Sequence, residues 1–400
     1  MSKIKYWLWL SSQTMVSPRS KAALAAHYGD AETAFFAPRG EFASVPGVTP
    51  ADAEILERRD LRRTDGILAD CEAGDIGLLA LGDAAYPQRL RHIADPPVLL
   101  YIRGKLPLVD ELPAVAVIGT RRASPYGVKM GRSIAYEIAK CGGIVISMLS
   151  SSVDMAAARG ALLAGGGCIG VLGTPHPVYE SELARDLVAH GALVSEYPPG
   201  TRPMKSFFRD RNRIAAGLSV GVVVTEAPEK SGALLFAAEA QEQGREIFAV
   251  PGNADSPNSV GTLELLKNGA KPVACGWDVM EEFAALFPGR VSDAVSAPCP
   301  EEAGPGETAA GPEQAAVPKK VIDKEKDTGY IDLTRQLAEL SQEQLALISA
   351  IEKGGSHIDD IIEATGLGAA KVLSQLTVLE IKGFIRRDAG RRIVLNTAKK

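Results

Sequence analysis

From about Ile76 to Phe287, short apolar runs alternate with longer stretches whose apolar residues recur every three or four positions. The runs Gly77–Leu81, Val98–Ile102, Val115–Ile118, Ile144–Ser147, Cys168–Leu172, Leu193–Ser195, Val222–Thr225, Glu246–Val250 and Pro272–Ala274 predict strands. Several show no apolar–polar alternation, the pattern of a parallel strand covered on both faces. A spacing of about 25 residues leaves one crossover helix between strands. The expected fold is therefore α/β, a doubly wound Rossmann-like sheet, with ligands outside the carboxyl ends of its strands.

The pattern differs on either side of this region. Residues 1–74 read as a small helical domain of the helix-hairpin-helix or SAM-like kind, with amphipathic segments at Arg19–His27, Asp30–Phe36, Ala51–Arg58 and Leu61–Cys71. Thr49 with Pro50 behind it marks a helix start. The aromatic run Tyr6–Leu10 is too short for a signal sequence and predicts a helix that buries its rings. The α/β domain is assigned to 75–288. Residues 289–333 are rich in Pro, Gly, Ala and Glu and predict a flexible linker. Residues 334–400 read as a winged helix-turn-helix. Its helices are expected at Gln342–Lys353 (opened by a capping box of Ser341 and Gln344), Ile358–Ala364 and Ala369–Lys382, with a hairpin of four arginines around Asp388–Gly390.

Composition narrows the chemistry. Net charge is −5 over 400 residues, so nucleic-acid binding requires a local patch. Five cysteines without a C-x-x-C pair and five scattered histidines fit a reducing cytoplasm and give no metal site. No apolar run reaches the roughly 18 residues of a membrane span.

Two segments carry candidate function. Gly119–Arg122 joins the strand Val115–Ile118 to a helix expected over Ser124–Lys140. Backbone N–H groups and the helix dipole favour an anion at such a junction, and Arg121 adds a planar donor pair suited to phosphate. Arg122 is expected to turn to a helix-side ion pair. The turn lacks G-x-G-x-x-G, since position 121 is arginine and position 124 serine, which argues against a dinucleotide cofactor. No cofactor is expected. The second segment, Thr201–Arg213, holds Arg202, Lys205, Arg209, Arg211 and Arg213 against one acid, Asp210, with Phe207 and Phe208 between them. Cations that follow a phosphate backbone and an aromatic face for a base are how single strands are held. One of the two phenylalanines is expected in the core.

Ordered along the chain are Val117-Ile118-Gly119-Thr120-Arg121, Val171-Leu172-Gly173, Ser195-Glu196-Tyr197-Pro198-Pro199-Gly200, Arg211-Asn212-Arg213-Ile214, Ala216-Gly217-Leu218-Ser219, Lys230-Ser231-Gly232, Gln243-Gly244-Arg245, Ala249-Val250-Pro251-Gly252 and Gly269-Ala270-Lys271. In this order and spacing they resemble the DNA-processing protein A (DprA/Smf) family. The resemblance implies a non-catalytic protein that binds single-stranded DNA and loads a RecA-type recombinase during DNA uptake, as a homodimer formed through the α/β domain. It implies DNA contacts from Gly119, Thr120, Arg121, Lys205, Phe208, Arg209, Arg211, Asn212, Arg213, Ser231 and Gly232. One loop departs from the family's Ser-Gly-x-Ala-x-Gly-Ile-Asp pattern: in Ser147–Asp154 both glycines are replaced, by Met148 and Ser152, and a usual histidine is Ala158. Losing glycine restricts positive φ and close backbone approach, while Ser150, Ser151 and Ser152 retain hydroxyls.

Two other classes stand beside this reading. A nucleotide hydrolase of the phosphoribohydrolase kind would use Pro-Gly-Gly-x-Gly-Thr-x-x-Glu. Here Pro251-Gly252-Asn253 is separated from Gly261-Thr262-Leu263-Glu264, and the glutamate comes one position early. A nucleotide-sensing winged-helix regulator would bind palindromic duplex.

Overall fold

The computed structural model describes residues 3–176, 181–293 and 299, and within the tail 347–348, 350–351, 358–365, 367–368, 371–372, 375–376, 379, 385–388 and 392–395. Most of the segment expected as a linker, 294–298 and 300–333, and the capping box at Ser341 lie outside the described residues. By contact pattern the chain divides into two compact units, 1–308 and 309–400.

Unit 1 opens with five helices, α1 (Ile4–Ser11), α2 (Pro18–Tyr28), α3 (Ala31–Phe36), α4 (Pro50–Leu56) and α5 (Thr64–Ala73). Their starts follow capping chemistry. Ser17 accepts from the Ser20 N–H, Asp30 from Glu32 and Thr49 from Asp52. Tyr6, Trp7, Trp9 and Leu10 of α1 are buried with Leu24, Phe42 and Leu56. That core continues onto Ala80, Leu99 and Tyr101 of the first two strands, so the helical head is packed on the sheet's edge.

The sheet has nine strands: β1 (Gly77–Ala80), β2 (Leu99–Gly104), β3 (Ala114–Ile118), β4 (Ile144–Ser147), β5 (Cys168–Leu172), β6 (Ala192–Ser195), β7 (Gly221–Val224), β8 (Glu246–Ala249) and β9 (Lys271–Pro272). Their spatial order is β1-β2-β6-β5-β4-β3-β7-β8-β9. Seven strands, β6 through β9 in that order, are parallel, whereas β2 pairs antiparallel with β6 and with β1. The order reverses between β3 and β7, the crevice where doubly wound sheets bind ligands. The connecting helices are α6 (Gln88–Arg91), α7 (Pro125–Lys140), α8 (Ser152–Leu163), α9 (Glu182–His190), α10 (Lys205–Leu218), α11 (Gly232–Glu242), α12 (Val260–Lys267) and α13 (Trp277–Met280).

Both faces are covered, which accounts for the unalternating strands. Ala114, Ala116 and Ile118 of β3 pack with Ile214 and Leu218 of α10 and Phe236 of α11. Val115 and Val117 of the same strand pack on the other face with Ile134 and Ile138 of α7 and Ala157 and Ala161 of α8.

In unit 2, α14 (Ile358–Thr365) contributes Ile361 to a core with Leu347, Leu376, Leu379, Ile385 and Ile393. Strands β10 (Ile385–Asp388) and β11 (Arg392–Leu395) pair antiparallel, the hairpin expected of a wing.

Candidate nucleic-acid interface

At the carboxyl rim of the parallel strands lies an open groove of about 740 Å³. Arg121 comes from the end of β3, Met148, Leu149 and Ser150 from β4, and Leu172, Gly173 and Thr174 from β5. Lys205, Phe208 and Arg211 come from α10. Residues 84 positions apart in sequence thus line one depression, as the topology requires.

The β3–α7 turn corrects one expectation. The anion at this junction is the chain's own Glu226, which follows β7 and is buried. Its carboxylate accepts from the Ser124 N–H at 2.8 Å and the Ser124 hydroxyl at 2.6 Å, and its main-chain oxygen accepts from the Thr120 N–H at 2.8 Å. Thr120 is buried, and its hydroxyl oxygen accepts from the Arg122 N–H. Gly119 is required by packing, since a Cβ there would lie 2.7 Å from both Thr225 Oγ1 and Val153 Cγ2. Gly119 and Thr120 therefore shape the turn, and the exposed Arg121 side chain is the part presented to the groove. Arg122 is exposed and has no ion pair among the described residues, unlike the helix-side pair expected for it.

The cationic run 201–213 is mostly helix, and the helix sorts its residues. Lys205, Phe208, Arg209 and Asn212 share one face by their three- and four-residue spacing. Lys205 and Arg209 are exposed, and Phe208 is 39% exposed. Gly173 lets this ring lie close, because a Cβ at 173 would meet Phe208 Cδ1 at 2.9 Å. Phe207 is the core phenylalanine, stacked on Tyr197 with ring centroids 3.6 Å apart. Helices α7, α8 and α9 are capped by Ser124, Ser151 and Ser181, but α10 has Met204 at its cap position, with no side-chain cap and no acid in its first turn. Lys205, its first residue, opposes the helix dipole unless an anion sits beside it.

The other basic residues divide. Arg211 reaches the groove floor from a buried position, donating from Nη1 to the Met148 carbonyl at 2.9 Å and from Nη2 to Asn212 Oδ1. Burial pushes its pKa down to about 10, with the Arg121 charge adding to this and Asp154 opposing it, so it is charged at neutral pH. Arg213 is a correction. Expected among the DNA contacts, it is 4% exposed and donates from Nη2 to both Glu196 carboxylate oxygens at 2.6 and 2.7 Å, with Asp95 3.4 Å from Nε. Burial opposes its charge, and Glu196 and Asp95 more than restore it. A guanidinium buried in this way cannot present its donors to a phosphate arriving from solution. Ser231 caps α11 by accepting from the Ala233 N–H, and exposed Gly232 follows it; neither lines the groove.

Sequence reasoning did not assign Met148, Leu149 or Thr174 to the site, and left open whether the Ser147–Asp154 loop, with its Ser150 hydroxyl, takes part. The divergent loop lines the groove nonetheless. Its positive φ, +51°, falls on Leu149 rather than on either position where the family's glycine is replaced, Met148 or Ser152. Ser151 and Asp154 form a capping box that opens α8, and the Ser150 hydroxyl donates to Asp154 at 2.8 Å. Burial raises the Asp154 carboxyl, which these hydrogen bonds counter. Glu264, the glutamate of the hydrolase comparison, is exposed on α12 beside Lys267 and away from the groove.

The chain is similar to known proteins over most of its length. A family profile described as DNA recombination-mediator protein A matches residues 77–284, and one described as the DprA winged helix domain matches 332–391. Protein Smf of Synechocystis is 30% identical over 98% of this chain and 98% of its own length. The DNA processing protein DprA of Bacillus subtilis is 37% identical over 54% of this chain and 74% of that protein. The X-ray structure of DNA processing protein A from Streptococcus pneumoniae superposes with a TM-score of 0.59 at 30% identity, covering 70% of this chain and 97% of that one. No helix among the described residues is long and apolar enough to cross a membrane.

Proposed function

The chain belongs to the DNA recombination-mediator protein A (DprA/Smf) family of DNA-processing proteins, and from that premise we propose that its rim groove holds the backbone of single-stranded DNA, which the protein protects and passes to a RecA-type recombinase. The observation that carries this reading is the meeting of Arg121, Lys205 and Phe208 around one open groove. The two cations neutralise phosphates, and an unpaired base stacks on the exposed Phe208 ring at about 1–3 kcal/mol. Charged Arg211 beneath them adds positive potential at the floor. Arg209 and Asn212, on the same helix face as Lys205, extend the track along α10. Gly119 and Thr120 act by fixing Arg121, and Ser231 and Gly232 by opening α11.

No step of bond breaking is assigned to these residues. The protein works by binding, in the cytoplasm, as a homodimer formed through the α/β domain. The exposed position of Glu264 beside Lys267 speaks against the nucleotide-hydrolase alternative.

Filter binding of single-stranded and duplex oligonucleotides of equal length, across a salt series, tests the proposal. Single strands should bind far more tightly and with little base preference, since phosphates carry no base information. Equal or tighter duplex binding would overturn it.

A further inference from the structure

The helical head carries a second concentration of positive charge that the groove does not use. The loop from α4 to α5, with the end of α1, encloses a depression of about 480 Å³ lined by Arg58, Arg59, Arg62 and Arg63 together with Ser12 and Gln13. Asp60 also lines it and is committed to Arg62 at 2.6 Å. Arg59 is structural. It sits at φ +47°, donates to the carbonyls of Phe35 and Ala37 at 2.8 and 2.5 Å, pairs with Glu57, and lies 4.6 Å above the Phe42 ring. With Arg59 fixed, Arg58 and Arg63 remain exposed, and neither has an ion pair among the described residues. In a chain of net charge −5, two such cations at one depression are a local anion site.

A chain of contacts links the α1 side of this depression to the rim that holds the groove. Thr174, on the groove wall, accepts at its carbonyl from the Ser195 hydroxyl at 2.7 Å. Ser195 ends β6 and is the register partner of Tyr101 on β2. The Tyr101 hydroxyl in turn is 2.8 Å from that of Ser11, the last residue of α1, directly before Ser12 and Gln13. From β5 to β2 is two strand spacings, about 10 Å. The end of α1, which forms one wall of the arginine depression, therefore lies at the sheet's carboxyl rim on the side away from β3.

We propose that Arg58 and Arg63 form a second phosphate anchor, which takes the same single strand after it leaves the groove between β3 and α10. This rests on the groove reading above and adds to it an exit path across the helical head. A short oligonucleotide fills the groove alone, and only a longer one reaches the head.

The test uses the full chain, with Arg58→Ala/Arg63→Ala, the milder Arg58→Gln/Arg63→Gln, and Lys205→Ala, each verified as folded by circular dichroism. Binding to oligo(dT) of about 6 and of about 30 nucleotides, within and well above the roughly 4–16 nucleotides of one single-strand site, is measured at four salt concentrations. On the long oligonucleotide either double variant should lose about tenfold in affinity, and its log K against log salt slope should fall by about 1.4, two released counterions. On the short one it should stay within about twofold of the parent, while Lys205→Ala weakens both. A double variant that binds the long oligonucleotide like the parent, or that weakens both lengths alike, overturns the exit path. If Lys205→Ala leaves the short oligonucleotide unaffected, the groove reading itself fails, whatever the head variants do.

Discussion

Arg213→Ala separates a structural arginine from a DNA-binding one. The Arg213 and Glu196 side chains are 4% and 6% exposed, and the guanidinium donates to both carboxylate oxygens. Asp95 lies 3.4 Å away on the other side, and no described cation other than Arg213 forms an ion pair with it. Removing the guanidinium leaves the Glu196 carboxylate buried without its partner, beside the partly exposed Asp95. Breaking a buried pair from one side costs about 3–5 kcal/mol, because the remaining charge loses its partner but not its burial. At roughly 2 °C per kcal/mol for a unit of this size, the unfolding midpoint should drop by about 6–10 °C. Scanning calorimetry reads the shift, and oligo(dT) binding well below the new midpoint reads function. The expected result is a large loss of stability with an unchanged salt slope. Removing both partners together, Arg213→Leu/Glu196→Leu, should cost less than the sum of the single changes. A midpoint within about 2 °C of the parent, or a slope shallower by about 0.7, would refute the reasoning and return Arg213 to the DNA contacts.

Three further outcomes follow from the structure. Phe208→Ala should weaken binding to single strands of every sequence by about 1–3 kcal/mol, read by fluorescence anisotropy, with thermal stability little changed because the ring is 39% exposed. Deleting residues 334–400 should leave single-strand affinity within about tenfold, roughly 1.4 kcal/mol, since the groove lies wholly in unit 1; a larger loss would move the main DNA contacts onto the wing. His176 is buried, with Nε2 2.8 Å from the Tyr101 carbonyl, and burial holds its pKa down to about 4 against the raising effect of that carbonyl. Between about pH 6.5 and 4 the unfolded chain takes up a proton that the folded chain refuses, so stability should fall on acidification through this window, by up to about 3 kcal/mol. His176→Asn should flatten that part of the denaturation-versus-pH curve, and parallel curves for the two proteins would contradict the assignment.

The fold was legible because its signals are local and mutually consistent. Unbroken apolar runs such as Ala114–Ile118 announce two covered faces, and Thr49-Pro50 and Ser124-Pro125 mark helix starts where the structure has them. The antiparallel placement of β2 against β6 was not legible, since an edge pairing has no sequence period of its own. In the site, position along the chain gave the right neighbourhood, and helical phase decided the roles. Arg209, Arg211 and Arg213 look alike in sequence, yet one is exposed, one forms the groove floor and one is sealed in an ion pair. The acidic partners of Arg213, Glu196 and Asp95, are 17 and 118 positions away from it, beyond any local pattern. The same holds for Glu226, which occupies the helix N-terminus that the β3–α7 turn alone seemed to leave open for a phosphate.

The measurement that bears most directly on the central claim is the salt dependence of single-strand binding in Arg121→Ala and Lys205→Ala, beside the parent protein. These two cations approach the groove from different elements, the end of β3 and the first turn of α10, and neither has an ion pair among the described residues. If both hold phosphates of one strand, each replacement should weaken binding to all sequences alike and make the slope of log K against log salt shallower by about 0.7. Either variant folding normally, while binding with the parent's affinity and slope, would contradict the groove as the place where DNA is held.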